Sequence, residues 1–452
     1  MKCSGFRDRH SVAVALWIGA GVVVAGAQQS NHAAAPHPID LPTVLRLAGA
    51  QNIDVQIARE KLAEARANRD IAQDQFLPWL NAGFGYRRHD GRLQDVTGNV
   101  FNASKQAYTF GGTLTAQVDI GDAYYKSLAA KQLVNAADHA LAAQRQDSIA
   151  LAAAGYFDLV RAQAGAGVAR EALGIAEDYA GQLGRAVDAG IAFKGDALRA
   201  QVQAGRNVLA LRSAEEQRQL AAARLAQTLR LEPVTPLVAR DADLAPMSLI
   251  ATNAALDTLV AQALAQRPEL KQTKSLTRAA KDAHEGAVKG PLVPTLGAHV
   301  FLGGLGGGRN GSLGQFGGSE DFFVGLSWRI GPGGLFDEAR RKAASSRVNS
   351  ALLGEEKVRD DVVRQVVEAN SRFHSLRDQL AVARGALQAA EETLRLTRAR
   401  KEFAVGAVLE MIEAERDLTR TRQDLIGIAA EFNKAQYAVQ RAIGGLGADE
   451  KK

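Results

Sequence analysis

Cysteine is almost absent from this sequence, since the only one among 452 residues is Cys3. It lies in an N-terminal segment that we expect to be removed on export, so the mature chain should contain no thiol. This excludes disulfide bonds, thiolate catalysis and cysteine-ligated metals. The eight histidines are scattered, and none has the H-x-x-H or H-E-x-x-H spacing of a metal site. We therefore predict neither a metal ion nor a cofactor.

A strong excess of charge of one sign is also lacking. The chain has 55 Lys and Arg residues against 49 Asp and Glu residues, which gives a formal net charge of +6. This excess is small for a chain of such length, and it gives no support to nucleic-acid binding.

Long apolar runs are missing after the N-terminus. Residues 12–25 form an apolar stretch of about 14 residues, shorter than the roughly 20 that a membrane-spanning helix needs. Basic residues precede this stretch and small residues at 25–27 follow it, which is the pattern of a secretory signal. We predict a signal peptide at residues 1–27 and an N-terminal linker at residues 28–40.

Proline is missing between Pro78 and Pro233 and again after Pro332. Because proline costs about 3 kcal/mol in a helix interior, both spans predict long helices. In the second span apolar residues recur with heptad spacing, which indicates a seam between packed helices. The residues of this seam are Val366, Ala369, Phe373, Leu376, Leu380, Ala383, Leu387, Ala390 and Leu394.

Four other segments alternate between apolar residues and polar or small ones, which predicts half-buried β-strands. These segments have about the length of a tilted membrane-spanning strand, and they are residues 79–88, 108–119, 295–304 and 322–330. A helix, a strand pair and a long helical hairpin follow one another twice along the chain, which indicates an internal duplication. We predict repeat 1 at residues 41–232, an inter-repeat linker at 233–253, repeat 2 at 254–445 and a C-terminal tail at 446–452.

The four predicted strands cannot close a membrane barrel alone, because the smallest such barrels have about eight. Unpaired strand edges are not tolerated in lipid, so the barrel must be shared between copies of the chain, and this reasoning allows two, three or four copies. We expect a mixed α+β membrane protein. Its shared transmembrane β-barrel, with four strands per protomer, would be continuous with a long antiparallel α-helical barrel.

A glycine-rich run, GGLGGGRNGSLGQFGG at residues 303–318, contains the G-x-G-x-x-G spacing at Gly306, Gly308 and Gly311. A dinucleotide site, and with it a nucleotide-dependent enzyme, requires a buried parallel strand before the glycines and a helix directly after them. The flanking segments instead alternate like the strands of a hairpin. We therefore interpret the run as a hairpin loop at the outer end of the barrel.

The chain resembles the TolC family of outer-membrane efflux proteins in its duplicated order of helix, strand pair and helical hairpin. The first hairpin turn has the glycine, acidic residue and alanine of that family at Gly190, Asp196 and Ala200. The second turn has the related pattern VGAVLEMIEA at residues 405–414. The closing stretch FNKAQYAVQRAIGG, residues 432–445, resembles the final helix of the family.

This resemblance implies a homotrimer with a twelve-stranded barrel in the outer membrane and a helical conduit in the periplasm. The expected partners are outer-membrane lipid, a periplasmic adaptor protein and an inner-membrane pump of the RND, ABC or MFS type. The implied function is passive outward passage of drugs, metal ions or exported proteins in tripartite efflux or type I secretion, with no catalytic residues. A soluble periplasmic coiled-coil scaffold without channel activity is the alternative.

The resemblance also implies candidate functional residues at the hairpin turns. Glu410 and Glu413 match a periplasmic gate; they are three residues apart and so project to one side of a helix, although a solvated charged face is the alternative. Asp196 either ties the two hairpins together through a basic partner or is a helix-start acid that the dipole favours. The candidate adaptor contacts, for which a plain turn is the alternative, are Gly190, Ile191, Val405, Gly406 and Ala407.

Overall fold

The structure is a computed structural model, and it describes residues 37–232, 235–241, 244–250, 255–309, 314–402 and 408–446. Several predicted features lie outside these residues: the signal peptide, most of the N-terminal linker and all but the first residue of the C-terminal tail. Gly311 of the glycine-rich run and the turn residues Val405, Gly406 and Ala407 also lie outside them.

A helix pair, a strand pair and a helical hairpin follow one another twice along the chain. The first set is α1 (Leu41–Gln51), α2 (Ile53–Asp74), β2 (Trp79–Gln94), β3 (Val100–Asp119), α3 (Ile120–Asp188) and α4 (Lys194–Leu229). The second set is α5 (Leu256–Gln266), α6 (Pro268–Lys289), β5 (Thr295–Arg309), β6 (Gly317–Ser327), α7 (Glu338–Glu402) and α8 (Val408–Ala442). Two short strands, β1 (His37–Ile39) and β4 (Leu237–Ala239), pair in parallel.

The longest helices lie in the two proline-free spans, as predicted. Helix α3 has 69 residues and α7 has 65, so at 1.5 Å per residue each is about 100 Å long. The heptad seam of α7 is buried: Val366, Phe373 and Leu380 are all at most 5% exposed. None of the helices in the described ranges is both long and apolar enough to cross a membrane.

Three large hydrophobic cores hold the helical hairpins together, beside a smaller one between α2 and α3 that contains Val55, Leu62 and Leu141. The α3–α4 core includes Tyr156, Leu159, Leu225 and Leu229 together with Val44 of α1. The α7–α8 core includes Val366, Phe373, Phe432 and Val439. The third, which we name the tip core, consists of Tyr179, Leu183, Ala197, Ala200, Ala390, Leu394, Met411, Ile412, Ala414 and Leu418. Because the tip core takes residues from α3, α4, α7 and α8, it packs the ends of the two helical hairpins against each other.

The four long strands form one antiparallel sheet in the order β2-β3-β5-β6. Side chains in one row of this sheet are all apolar, because Leu80 is opposite Leu114, Leu114 is opposite Val300 and Val300 is opposite Phe322. Strands β2 and β6 form the edges of the sheet, and in the described part of the protomer neither has a partner on its outer side.

The strands differ in extent from the predicted segments. Strands β2 and β3 are joined by a short turn between Gln94 and Val100, and β6 is shifted toward the N-terminus relative to the predicted residues 322–330. The sequence pattern predicts a loop for the glycine-rich run, but its first part, residues 303–309, belongs to β5. A second strand, β6, begins at Gly317 within the run and pairs antiparallel with β5, where a dinucleotide site would have a helix; this confirms the hairpin interpretation.

Glycine is normally unfavourable in a strand because it has no side chain to pack, but here its small size is required. A Cβ atom on Gly303 would overlap the carbonyl oxygen of Phe110 on the neighbouring strand. A Cβ atom on Gly304 would overlap the ring of Phe316, which stacks on Tyr108 with the ring centroids 5.9 Å apart. The glycines allow the strands to approach closely and an aromatic ring to pack over the backbone. The sheet therefore extends into a sequence with low strand propensity.

Candidate functional site at the hairpin tips

The α3–α4 hairpin ends in a tight turn whose exposed side chains are apolar. Gly190 has φ = +74°, a left-handed conformation that glycine adopts without strain. Its N–H donates to the carbonyl oxygen of Val187 at 2.9 Å. The Ile191 side chain is 81% exposed and that of Phe193 is 72% exposed. The structure therefore places two large apolar side chains at the end of the hairpin, where they are accessible to a partner protein.

The turn between α7 and α8 contains Val405, Gly406 and Ala407, which lie outside the described residues. The flanking helices nevertheless show how the glycine–acid–alanine pattern is used. Both alanines of the pattern, Ala200 and Ala414, are buried in the tip core. The alanines therefore have a packing role, since a small side chain lets the helices approach closely at this point.

Glu410 and Glu413 lie at the start of α8, and both are exposed. Met411 and Ile412 between them are buried in the tip core. Glu410 forms an ion pair with Arg400 of α7, with Nη1 and Oε2 3.3 Å apart. Because both partners are about half exposed, this pair contributes at most about 1 kcal/mol. Among the side chains that the structure describes, which exclude those of residues 401–407, Glu413 has no ion-pair partner, so the two predicted gate residues differ in their surroundings.

Asp196 lies in the first turn of α4, where backbone N–H groups favour a negative charge. Its carboxylate pairs with Arg199 of the same helix at 3.1 Å. The ion pair that the structure gives this residue is therefore local to α4. A tie between the hairpins through Asp196 stays a prediction.

Two polar residues of this region were not predicted from the sequence, namely Tyr179 of α3 and Glu415 of α8. The Glu415 side chain is 15% exposed and lies 4.0 Å from Arg398 of α7. Burial of Tyr179 raises the pKa of its hydroxyl, and the nearby carboxylates of Glu415 and Asp196 raise it further. A buried tyrosine thus lies between acids from both hairpins. In the sequence, Tyr179 lies four residues before Leu183. This spacing places both side chains on the same face of a helix, and it is the signal that indicates a buried position for Tyr179.

Away from the tips, polar side chains of α8 hold the chain that connects α4 to α5. Asn433 and Gln436 are each only 1% exposed. The Oδ1 atom of Asn433 accepts from the Met247 N–H at 2.9 Å, and its Nδ2 donates to the Ala245 carbonyl at 3.0 Å. The Oε1 atom of Gln436 accepts from the Leu249 N–H at 2.7 Å. Because buried polar side chains need hydrogen-bond partners, these two amides fix the connecting segment to the final helix.

A largely buried ion cluster joins α3, α6 and α8. Arg267, just before α6, is 5% exposed and donates to Glu269 at 2.8 Å. Glu269 also pairs with Arg441 of α8, and Arg441 reaches Asp147 of α3 at 2.6 Å. Burial by itself would raise the pKa of Glu269, but hydrogen bonds and charge from the two arginines outweigh it and lower the pKa to about 2.

One face of the four-stranded sheet exposes a band of large apolar side chains. Leu80, Phe84, Phe110, Phe322 and Val324 are all more than 60% exposed. Contiguous exposed apolar surfaces of this extent mark membrane or protein contacts, so the protomer alone leaves this face without the environment that it requires.

The sequence matches the family model for outer membrane efflux proteins over residues 44–229 and 259–445. It is 28% identical to Protein CyaE of Bordetella pertussis over 71% of this chain and 66% of that protein, slightly under two thirds of its length. It is 24% identical to the cation efflux system protein CusC of Escherichia coli, over 89% of this chain and 86% of CusC.

The fold is also similar to that of a solved channel. The crystal structure of the Campylobacter jejuni CmeC outer membrane channel superimposes with a TM-score of 0.77 at 16% identity, covering 90% of this chain and 85% of CmeC. The two segments of the family match coincide with the two sets of helices and strands. The chain is therefore an outer-membrane protein and belongs to the family of outer membrane efflux proteins.

Proposed function

We propose that three copies of this chain form an exit duct that conducts solutes or exported proteins from the periplasm to the outside. The duct would receive its cargo from a periplasmic adaptor protein and an inner-membrane pump, in tripartite efflux or type I secretion. Passage through it is passive, so the proposed role includes no catalytic step and no cofactor.

The observation that carries this proposal is the apolar band on a sheet that has two unpaired edges. Lipid does not tolerate unpaired strand edges, so β6 of one protomer must pair with β2 of the next. Three copies of the four-stranded sheet then give a closed barrel of twelve strands, with the apolar band against the lipid.

The helices support the same assembly. At about 100 Å, α3 and α7 are more than twice the total thickness of a bilayer, about 40–45 Å, so most of their length lies in the periplasm. Their surfaces retain large exposed apolar side chains, such as Leu209 of α4 and Leu353 and Val382 of α7. Side-by-side packing with helices of neighbouring protomers would cover these residues and form a helical barrel continuous with the strands.

The hairpin tips are the proposed periplasmic entrance. With threefold symmetry Glu410 and Glu413 contribute six carboxylates, which attract cations and disfavour anions. Asp196, paired with Arg199, adds a further acid at the same end. The exposed side chain of Ile191 in the turn at Gly190 supports an adaptor contact there, and we propose a second contact at residues 405–407.

The division of the chain follows from this assignment. Residues 1–27 are the proposed export signal and residues 28–40 the linker that follows it. We infer that residues 41–232 and 254–445 arose by duplication, since the family model matches each of them once. Residues 233–253 connect the two halves, and residues 446–452 form the tail.

The test is the reconstitution of the purified full-length protein in detergent and in planar bilayers. A trimer mass by light scattering, together with discrete conductance steps, is the expected result. A protein that stays monomeric and forms no pores would overturn the proposal. The alternative is a soluble periplasmic scaffold; such a protein would leave the membrane fraction on carbonate extraction, whereas the proposed channel would stay in it.

A further inference from the structure

Basic side chains form a row across three strands at the end of the sheet that is remote from the helices. His89 of β2 is opposite Lys105 of β3, and Lys105 is opposite Arg309 of β5. Side chains that are directly opposite lie on the same face, with Cβ atoms about 4.5–5.5 Å apart. Arg87 precedes His89 by two residues and therefore lies on this face as well.

This row lies on the opposite face from the apolar band. Along β2 the band includes Leu80, Phe84 and Tyr86, which are all exposed, whereas Arg87 and His89 occupy the alternate positions. Because successive side chains of a strand point to opposite faces, the basic row points away from the surface that contacts lipid. In the barrel of the proposed function, on which this inference rests, that direction is the lumen.

The order of the elements along the chain also defines where the basic row lies along the strands. Strand β2 begins directly after α2, and β3 ends directly before α3, so the helices are attached at the far end of the sheet from the basic row. If the helices lie in the periplasm, the row lies at the external end of the lumen.

Acidic residues do not neutralise the row within the described part of the sheet. Asp90 follows His89 by one residue and so lies on the other face, where it accepts from Arg88 at 2.6 Å and from Ser104 at 2.5 Å. Asp321 is on the same face as the row, but it is opposite Phe301, eight residues (309 − 301) along β5 from Arg309. At about 3.3 Å per residue this separation is about 26 Å.

The row itself is electrostatically unfavourable for strand pairing. Like charges directly opposite each other destabilise a sheet, and Lys105 and Arg309 are such a pair. The Nε2 atom of His89 is buried and has no hydrogen-bond partner among the described residues. Among the described residues these groups have no compensating anion, although a solute in the lumen can supply one.

We propose that Arg87, Lys105 and Arg309 of three protomers, with the imidazole of His89 beside them, form a cationic collar at the external end of the lumen. The collar concentrates anions and repels cations, so the exit of the duct favours solutes that are anionic or carry acidic groups. A local potential of only about one kT, below the several kT that charged clefts reach, changes ion concentrations about threefold.

The test measures ion selectivity in planar bilayers, from the reversal potential under a potassium chloride gradient at low ionic strength, where screening is weak. Arg87→Gln and the double variant Lys105→Gln/Arg309→Gln are compared with the wild type. The matched control is Arg88→Gln, which removes the same charge one residue further along and on the opposite face. We expect the ratio of chloride to potassium permeability to fall about threefold or more in the double variant, to fall less in Arg87→Gln, and to be unchanged in Arg88→Gln.

A second measurement adds sodium triphosphate to the external side, where it should block the wild type more strongly than the double variant. Pores whose selectivity and triphosphate block are unchanged by the variants would overturn the collar and leave the channel function intact. An effect of Arg88→Gln equal to that of Arg87→Gln would also overturn the collar, since charges on both faces of the sheet would then influence selectivity equally. A wild-type protein that forms no pores would instead overturn the proposed function.

Discussion

Replacing Glu269 with glutamine is expected to destabilise the folded protein at neutral pH and to weaken its sensitivity to acid. Glu269 accepts hydrogen bonds from both Arg267 and Arg441, and the Arg267 side chain is only 5% exposed. The substitution leaves two largely buried guanidinium groups without the carboxylate that they share. Breaking a buried ion pair by removing one partner costs about 3–5 kcal/mol.

The pKa of Glu269 gives a second, independent value for the stabilisation that this ion cluster contributes. The pKa of Glu269 falls from its usual 4.5 to about 2 in the folded protein, and this difference of about 2.5 corresponds, at about 1.4 kcal/mol for each whole pKa step, to about 3.5 kcal/mol. Because folding lowers this pKa, the stabilisation is fully present above the unfolded-state value and is lost as the pH falls through the folded-state value. The window of lost stability therefore runs from about pH 5 down to about pH 2.

The assay is thermal unfolding of the full-length protein in detergent, followed by far-UV circular dichroism at a series of pH values. The wild type should lose Tm steeply below about pH 5, whereas Glu269→Gln should start with a lower Tm and lose less of it. Glu392→Gln is the control, because Glu392 pairs with Arg395 on the exposed surface of α7 and should change little. The reasoning is refuted if Glu269→Gln retains the acid sensitivity of the wild type, or if Glu392→Gln matches its loss.

Three other variants test separate features. Gly303→Ala should lower the Tm of the detergent-solubilised protein, because a Cβ would overlap the neighbouring strand, whereas Gly317→Ala has open space and should not; equal effects would contradict the close approach. Asn433→Ala should leave the Met247 N–H and the Ala245 carbonyl, both partly buried, without their side-chain partner at about 1 kcal/mol each, and limited proteolysis should then cut residues 244–250 faster; an unchanged cleavage rate would speak against this role of Asn433. Glu410→Gln/Glu413→Gln should reduce cation selectivity in bilayers, and unchanged selectivity would remove these residues from the gate.

The long helices could be predicted because their signals are local. Both signals, the absence of proline and the heptad spacing of apolar residues, can be recognised within neighbouring turns of one helix. Residues such as Phe373 and Leu380 are buried, as the heptad spacing predicts. The ends of the strands could not be predicted in the same way. Gly303 and Gly304 weaken the strand pattern in the sequence, yet their lack of a side chain is what allows the backbone and the aromatic rings of other segments to approach.

Polar contacts between residues far apart in the sequence could not be predicted, for a different reason. Glu269 and Arg441 are separated by 172 residues, and nothing in either local sequence distinguishes them from the many exposed acids and arginines of the helices. The tip acids illustrate a mixed case. The positions of Glu410 and Glu413 near a turn followed from the family pattern, but the pairing of Glu410 with Arg400 depends on how α7 and α8 approach each other.

The two ends of the proposed duct have opposite charge, and the distance between them decides how they act together. Helix α3 alone separates the tips from the sheet by about 100 Å, whereas the Debye length at physiological ionic strength is about 8 Å. Neither the acids at the tips nor the basic row near Arg309 can therefore change the potential at the other end. The two ends lie in series along the duct, so both contribute to the measured ion selectivity, and variants at each end should change it independently of the other end.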